Sequence, residues 1–158
     1  KGWDAALPRI VTWAKFKDTK SGKIFFHFNT HFDHMGKEAR KQSSLLILKQ
    51  VAQLAGKLPV LVTGDFNADP SDEPIQVIID NKNPLHLTDA EAVSQTPHYG
   101  PNASFNGWQI HTDNLKEHID YIFIHGPVTV LKHATLAQLW GTRFSSDHFP
   151  VMATVVVE

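Results

Sequence analysis

Cysteine is absent from this 158-residue chain, which excludes disulfides and thiolate metal sites and leaves the redox compartment open. An excess of either charge is missing too. Fifteen Lys and Arg face 16 Asp and Glu, so the chain as a whole attracts neither nucleic acid nor an anionic membrane, and any polyanion must be held locally. No apolar run reaches transmembrane length. Lys1-Gly2-Trp3-Asp4 offers neither a start methionine nor a signal-peptide pattern, so the question of a targeting segment stays open. Ser145 and Ser146 are not framed by a Gly-x-Ser-x-Gly elbow, and 10 histidines include no His-Glu-x-x-His helix. A serine hydrolase and a zinc peptidase are thereby disfavoured. There is no internal repeat, coiled-coil pattern or disordered tail.

What is present suits one domain, burying roughly 68 % of its unfolded surface at this length. Arg9–Lys17 and Lys23–Thr30 carry β-favouring residues around the turn Asp18-Thr19-Lys20-Ser21-Gly22, which predicts a hairpin. Lys37–Ala55 turns to helical periodicity, with Leu45, Leu48, Ala52 and Ala55 on one stripe, Ile47, Val51 and Leu54 widening it, and Gly56 as its stop. Val60–Thr63 reads as a buried strand. Ser71 is expected to cap a short helix containing Ile75, Val77, Ile78 and Ile79. Thr96–Asn114 has the prolines, glycines and aromatics of a surface loop or rim, and His118–His125, Val128–Leu136 and Val151–Val157 read as strands. The mixture is α/β, or α+β.

Four short polar islands stand beside the strands: Asn29-Thr30-His31-Phe32-Asp33, Gly64-Asp65-Phe66-Asn67, Ile119-Asp120-Tyr121 and Ser146-Asp147-His148. Carboxylates and imidazoles at so many strand ends point to convergence on a charged ligand, and a phosphate is the simplest. Asp65 and Asn67, two apart beyond a strand, are expected to point the same way and to offer hard oxygens for Mg²⁺ or Mn²⁺. Gly64 lets backbone approach closely and Phe66 anchors the segment; an Asx-type turn is the bland alternative. His31 suits hydrogen bonding or proton transfer to a phosphate oxygen. A zinc set of His31, Asp33 and His34 competes with a reading in which His34 is exposed and Asp33 caps the next helix. Asp120, in an apolar strand, is expected to accept a hydrogen bond from His148, while Asp147 orients or deprotonates water.

In this order the islands resemble the C-terminal part of the endonuclease/exonuclease/phosphatase superfamily, the DNase I-like fold. The resemblance implies part of a four-layered sandwich with mixed sheets and outer helices, residues 1–158 being the C-terminal portion of a single domain. It carries the family's catalytic residues onto His31, Asp65, Asn67, Asp120, Asp147 and His148. It implies phosphate contacts from Asn67, His31 and His148, and a metal held by Asp65, Asn67 and Asp147. An N-terminal strand bearing Asn and a later strand bearing a metal-binding Glu are expected upstream of Lys1. Glu38, Glu73, Glu91, Glu117 and Glu158 stand in contexts unlike that ligand.

The function implied is Mg²⁺-dependent hydrolysis of a phosphomonoester or phosphodiester by the intact protein. The present chain would then be weakly active or inactive and prone to self-association. Tyr99, Phe105, Trp108, His98 and His111 fall near the expected rim, and Trp108 suits stacking on substrate. With few basic residues there, a phosphorylated small molecule, sugar phosphate or lipid headgroup is favoured over nucleic acid. The alternative is a binding module of the same fold without catalysis.

Overall fold

The computed structural model describes residues 2–110, 115 and 117–158. Strand β1 (Val11–Lys17) and strand β2 (Ile24–His31) form the expected antiparallel hairpin. Asp18 organises its turn by accepting the backbone N–H groups of Lys20 and Ser21, the local bonding that makes Asp a turn former. Helix α1 (Lys37–Ala55) then crosses over to strand β3 (Val60–Asp65), which lies parallel to β2.

Helix α1 ends at Gly56, whose φ of 59° is left-handed, as expected of a glycine stop. Its start is capped from a distance. Gly36 has no side chain to offer, and the Asp4 carboxylate accepts the N–H groups of Glu38 (3.2 Å) and Ala39 (2.7 Å) instead, satisfying orphan donors of the first turn. The buried stripe differs from the expected one. It runs through Arg40, Ser44, Ile47, Leu48, Val51 and Ala55, leaving Leu45 42 % exposed. Two polar residues can occupy that face because Ser44 Oγ donates to the Pro74 carbonyl (2.9 Å) and Arg40 donates to the Asp33 carbonyl (3.0 Å).

Asp72 stands at the N-cap of helix α2 (Glu73–Ile79), so the expected Ser71 cap is corrected by one residue. The Asp72 carboxylate turns back to the Asp69 N–H (2.9 Å) rather than capping the helix, and Pro74, second in the helix, sits in the first turn where no N–H is needed. The short strand β4 (Thr88–Asp89) and strand β5 (Asp120–His125) complete a five-stranded mixed sheet ordered β1-β2-β3-β5-β4. Strand β6 (Val128–Thr135) and strand β7 (Val151–Val157) pair antiparallel as a second sheet. The anticipated loop from Thr96 is described as far as Ile110; its remainder through Asn114 lies outside the described residues.

Alternation sorts the central strands into two cores. Phe26, Phe28, Val60, Val62, Tyr121 and Phe123 face the helices, packing with Ile47, Leu48, Val51, Ile75 and Ile78. The opposite residues Leu61, Ile122 and Ile124 meet Val128, Val130, Ala153 and Val155 of the second sheet. Helices, mixed sheet and second sheet are therefore stacked in that order, consistent with the expected α/β class and mixed sheets. Each fully buried Phe contributes about 1.5–3 kcal/mol of transfer free energy. The polar strand ends continue the face turned toward the second sheet.

Candidate active site

Register assembles most of the site. Strand pairing places His31 opposite Asp65 and Asp65 opposite Asp120, so three sequence-distant islands become one row across the adjacent ends of β2, β3 and β5. Neighbouring strands are only about 4.8 Å apart, which brings such a row within side-chain reach. Gly64 makes the β2–β3 approach feasible. Its φ is 149°, and a Cβ there would fall on the Thr30 carbonyl oxygen; only glycine avoids that collision. Phe66, fully buried, fixes the far end of the turn through ring contacts with Phe32 (4.7 Å) and Phe123 (5.1 Å).

The fourth island enters from the segment before β7. His148 Nδ1–H donates to Asp120 Oδ2 at 2.7 Å, as the sequence predicts, which leaves Nε2 facing Asp65 Oδ2 at 4.0 Å. His31 Nε2 lies 3.3 Å from the same Asp65 oxygen. Burial pulls the His148 pKa down, but the Asp120 hydrogen bond and the charges of Asp120, Asp65 and Asp147 outweigh it, and the net shift is upward. The Asp65 carboxyl is also shifted up. Burial and the neighbouring Asp120 charge favour its neutral form more than the Asn67 N–H and the two imidazoles favour the anion. Such a carboxylate is short of positive charge.

Asn67 is placed differently from simple strand alternation. The strand ends at Asp65, Asn67 adopts a φ of 48°, and its N–H donates to Asp65 Oδ1 (2.8 Å), so the Asx-type turn and the chemical constellation coexist. Its side-chain amide donates to the Phe32 carbonyl (3.0 Å), leaving the amide oxygen as its remaining acceptor. Asp147 stands outside the group formed by Asp65, Asp120 and His148. Its backbone carbonyl accepts the N–H groups of Asn106 and Gly107, and its carboxylate accepts from Ser146 Oγ at 3.3 Å.

The zinc set of His31, Asp33 and His34 is not brought together. Asp33 is buried, and its carboxylate accepts the backbone N–H groups of Gly36 (2.7 Å), Leu7 (2.9 Å) and Met35 (3.0 Å). Those bonds hold its pKa well below the usual carboxylate range. It organises the loop before α1 rather than capping the helix itself. His34 faces the Arg9 guanidinium at 3.3 Å. Trp108 is 61 % exposed and Tyr99 is 73 % exposed. Phe105 does reach the site, its ring 5.0 Å from that of His148. The expected rim residue His111 lies outside the described residues.

Sequence reasoning missed the buttress. Ser104 Oγ accepts the N–H groups of Ile119 (2.9 Å) and Asp120 (3.0 Å), and its backbone carbonyl accepts the Phe149 N–H (2.7 Å). Asn106 donates to the Ser146 carbonyl (3.1 Å). Both are fully buried, and they tie the Asp120 and His148 islands together. A Ser and an Asn in a loop carry no local signal for such distant partners.

The donor set admits a divalent cation. Asp65 and Asp120 each offer a carboxylate oxygen within 4.8 Å of the other, while His148, whose Nδ1–H is given to Asp120, ligates only through an unprotonated Nε2. Asp65 Oδ2, the hard oxygen not taken by the Asn67 N–H, is faced by the His31 and His148 rings, and the raised pKa of this carboxyl is relieved by positive charge. Among the other glutamates singled out in the sequence, Glu73 pairs with Lys41 (2.6 Å) and Glu38 accepts from Gln42 (2.8 Å). Neither belongs to this group.

Residues 4–148 match the model of the endonuclease/exonuclease/phosphatase family. The chain belongs to that family. Among solved structures it is similar to an endonuclease/exonuclease/phosphatase from Bacteroides vulgatus, with 38 % identity and a TM-score of 0.91, covering 100 % of this chain and 59 % of that one. The mannosyl-6-phosphatase of Bacteroides thetaiotaomicron is similar at 32 % identity and a TM-score of 0.89, covering 98 % of this chain and 60 % of that chain. An uncharacterized protein of Acanthamoeba polyphaga mimivirus is 30 % identical over 129 residues, which is 77 % of this chain and 46 % of its own length. This family member thus spans about three-fifths or less of the relatives it matches.

Proposed function

We propose that the protein containing this chain hydrolyses phosphate monoesters of small polar molecules, sugar phosphates foremost, with Mg²⁺ or Mn²⁺ as cofactor. The observation that carries the reading is the cross-strand row His31–Asp65–Asp120, joined by His148 through its bond to Asp120. Family membership supports phosphoester hydrolysis, and the 32 % identity to a mannosyl-6-phosphatase supports the monoester and the sugar. The near-balanced charge argues against a long nucleic-acid track.

In this reading Asp120 holds His148 in the Nδ1–H tautomer and stabilises its protonated form, so that Nε2–H contacts a phosphate oxygen and can deliver a proton to the leaving group. His31 Nε2 supplies a second donor to the phosphoryl oxygens. Asp65 Oδ2 orients the attacking water, and the Asn67 amide oxygen together with Asp65 forms the chain's share of the cation site. Asp147 acts through its charge on His148. The cation supplies neutralisation of the phosphate's negative charge. Ser104 and Asn106 are positioning residues.

The test uses the full-length protein with Mg²⁺ on p-nitrophenyl phosphate, bis-p-nitrophenyl phosphate and mannose 6-phosphate, beside Asp65→Asn and His148→Ala. Monoester turnover lost in both variants, with circular dichroism unchanged, is expected. Turnover equal to wild type in the variants overturns the residue roles. No turnover on any ester leaves the non-catalytic binding module as the better reading.

A further inference from the structure

A second cluster of ligating side chains, sharing no residue with the Asp65 group, lies where the segment between β4 and β5 meets β6. His133 of β6 is 3 % exposed, and Glu91 and His98 come from that segment. The two imidazoles approach Nδ1 to Nδ1 at 2.9 Å, and Glu91 Oε2 lies 3.7 Å from each nitrogen. A triangle with sides 2.9, 3.7 and 3.7 Å has a centre about 2.0 Å from every corner, which is the distance at which zinc binds imidazole nitrogen and carboxylate oxygen.

Two further observations point to a cation at that centre. Glu91 Oε2 is sequestered from solvent yet accepts no hydrogen bond, a costly state for a carboxylate oxygen unless something positive is placed against it. His98 Nε2 lies 3.2 Å from the Pro101 carbonyl, which can only accept. That bond fixes the tautomer with Nδ1 carrying the lone pair, the carbonyl support commonly found behind a metal-bound histidine. Without a cation, a neutral His98 accepts the Nδ1–H of His133, and the carboxylate at 3.7 Å accepts a hydrogen bond from neither ring.

We propose that Glu91, His98 and His133 form a zinc site, with water in the fourth position. Two nitrogens and one oxygen favour Zn²⁺ over Mg²⁺. On binding, the His133 proton moves from Nδ1 to Nε2 while His98 keeps its Nε2–H, so each ring presents Nδ1 to the ion without losing a proton. An open cleft reaches Glu91 beside Asp89, Asn102 and His118, which gives the ion an entry path. The site fastens the loop to the second sheet. Backbone bonds already join Tyr99 N–H to the His133 carbonyl (3.2 Å) and Thr135 N–H to the Tyr99 carbonyl (2.9 Å). Gly100 makes that contact feasible, because at its φ of 99° a Cβ would fall on the Thr135 carbonyl oxygen.

Chelator-stripped full chain is titrated with Zn²⁺, and metal content is measured after gel filtration for wild type, Glu91→Gln, His98→Gln and Asp65→Asn. One equivalent is expected to stay with wild type and Asp65→Asn. Glu91→Gln and His98→Gln should bind that equivalent more than about 100-fold more weakly, beyond the 10–100-fold typical of losing a supporting partner. Zn²⁺ should raise the thermal midpoint only in wild type and Asp65→Asn. Zinc X-ray absorption on the wild type gives a reading independent of how the variants fold: two imidazoles and one carboxylate at about 2.0 Å. A shell without two imidazoles, no retained zinc in wild type, equal binding in Glu91→Gln and His98→Gln, or loss of the equivalent in Asp65→Asn overturns the proposal.

Discussion

The Asp65–Asp120–His148 group and the Glu91–His98–His133 group use the same two kinds of side chain and arrive at opposite electrostatics. In the first, a carboxylate lies 2.7 Å from an imidazole nitrogen, and the pKa of His148 rises in spite of burial. In the second, the carboxylate oxygen is 3.7 Å from both rings, the rings bond to each other, and burial takes the pKa of His133 down. One ångström of separation decides whether a histidine is prepared to carry a proton or a lone pair. A charge-assisted hydrogen bond is roughly twice as strong as a neutral one, and at the longer distance that bond is not made. Each group also rests on a glycine pressed against a carbonyl, Gly64 on Thr30 and Gly100 on Thr135.

The sharpest way to break this contrast is to remove the short bond. If the full-length protein has the proposed phosphomonoesterase activity, Asp120→Asn should lower that turnover by about 10²–10⁴-fold, and the His148 titration midpoint followed by NMR should fall. An unchanged midpoint would mean that the carboxylate does not set the proton affinity. The sign extends to stability. Because the folded pKa of His148 lies above its ordinary 6.5, its contribution is complete below that value and fades as pH rises through the folded pKa. Asp120→Asn should flatten that decline.

Next in size, Gly64→Ala should destabilise the chain by about 3 kcal/mol or more in urea unfolding, since backbone rather than a mobile side chain must give way. A loss under about 1 kcal/mol would show that β2 and β3 separate easily. The smallest effect belongs to the second group. With the folded pKa of His133 below 6.5, the unfolded chain takes up a proton that the folded chain declines, so stability should fall as pH drops below that value. The slope is at most about 1.4 kcal/mol per pH unit per histidine. His27 is depressed by burial in the same direction, and comparing urea midpoints of wild type and His133→Gln at pH 7 and pH 5.5 isolates the His133 share. Identical slopes in the two proteins would put that share at zero.

Local chemistry made much of the molecule legible in advance. The turn at Asp18, the strands on either side, the helix ended by Gly56 and the four polar islands all follow from alternation, periodicity and turn residues, which act within a few positions along the chain. So did the Asp120–His148 bond, because a carboxylate in an apolar strand needs a partner. Readings failed where satisfaction came from afar. Leu45 is outside because Ser44 and Arg40 find distant carbonyls, and α1 is capped by Asp4 rather than by its own neighbour.

The sequence by itself determined the strands and helices other than the two-residue β4, and which short segments carry acids, amides and imidazoles, since those properties are written within a turn or two of backbone. Tertiary structure alone decided who meets whom. Strand register placed His31, Asp65 and Asp120 in one row, loop packing set Ser104 and Asn106 beneath them, and a loop lying on β6 gathered Glu91, His98 and His133. Pairings across 28 to 35 residues leave no trace in local spacing, because the contacts that select them form only when the sheets close.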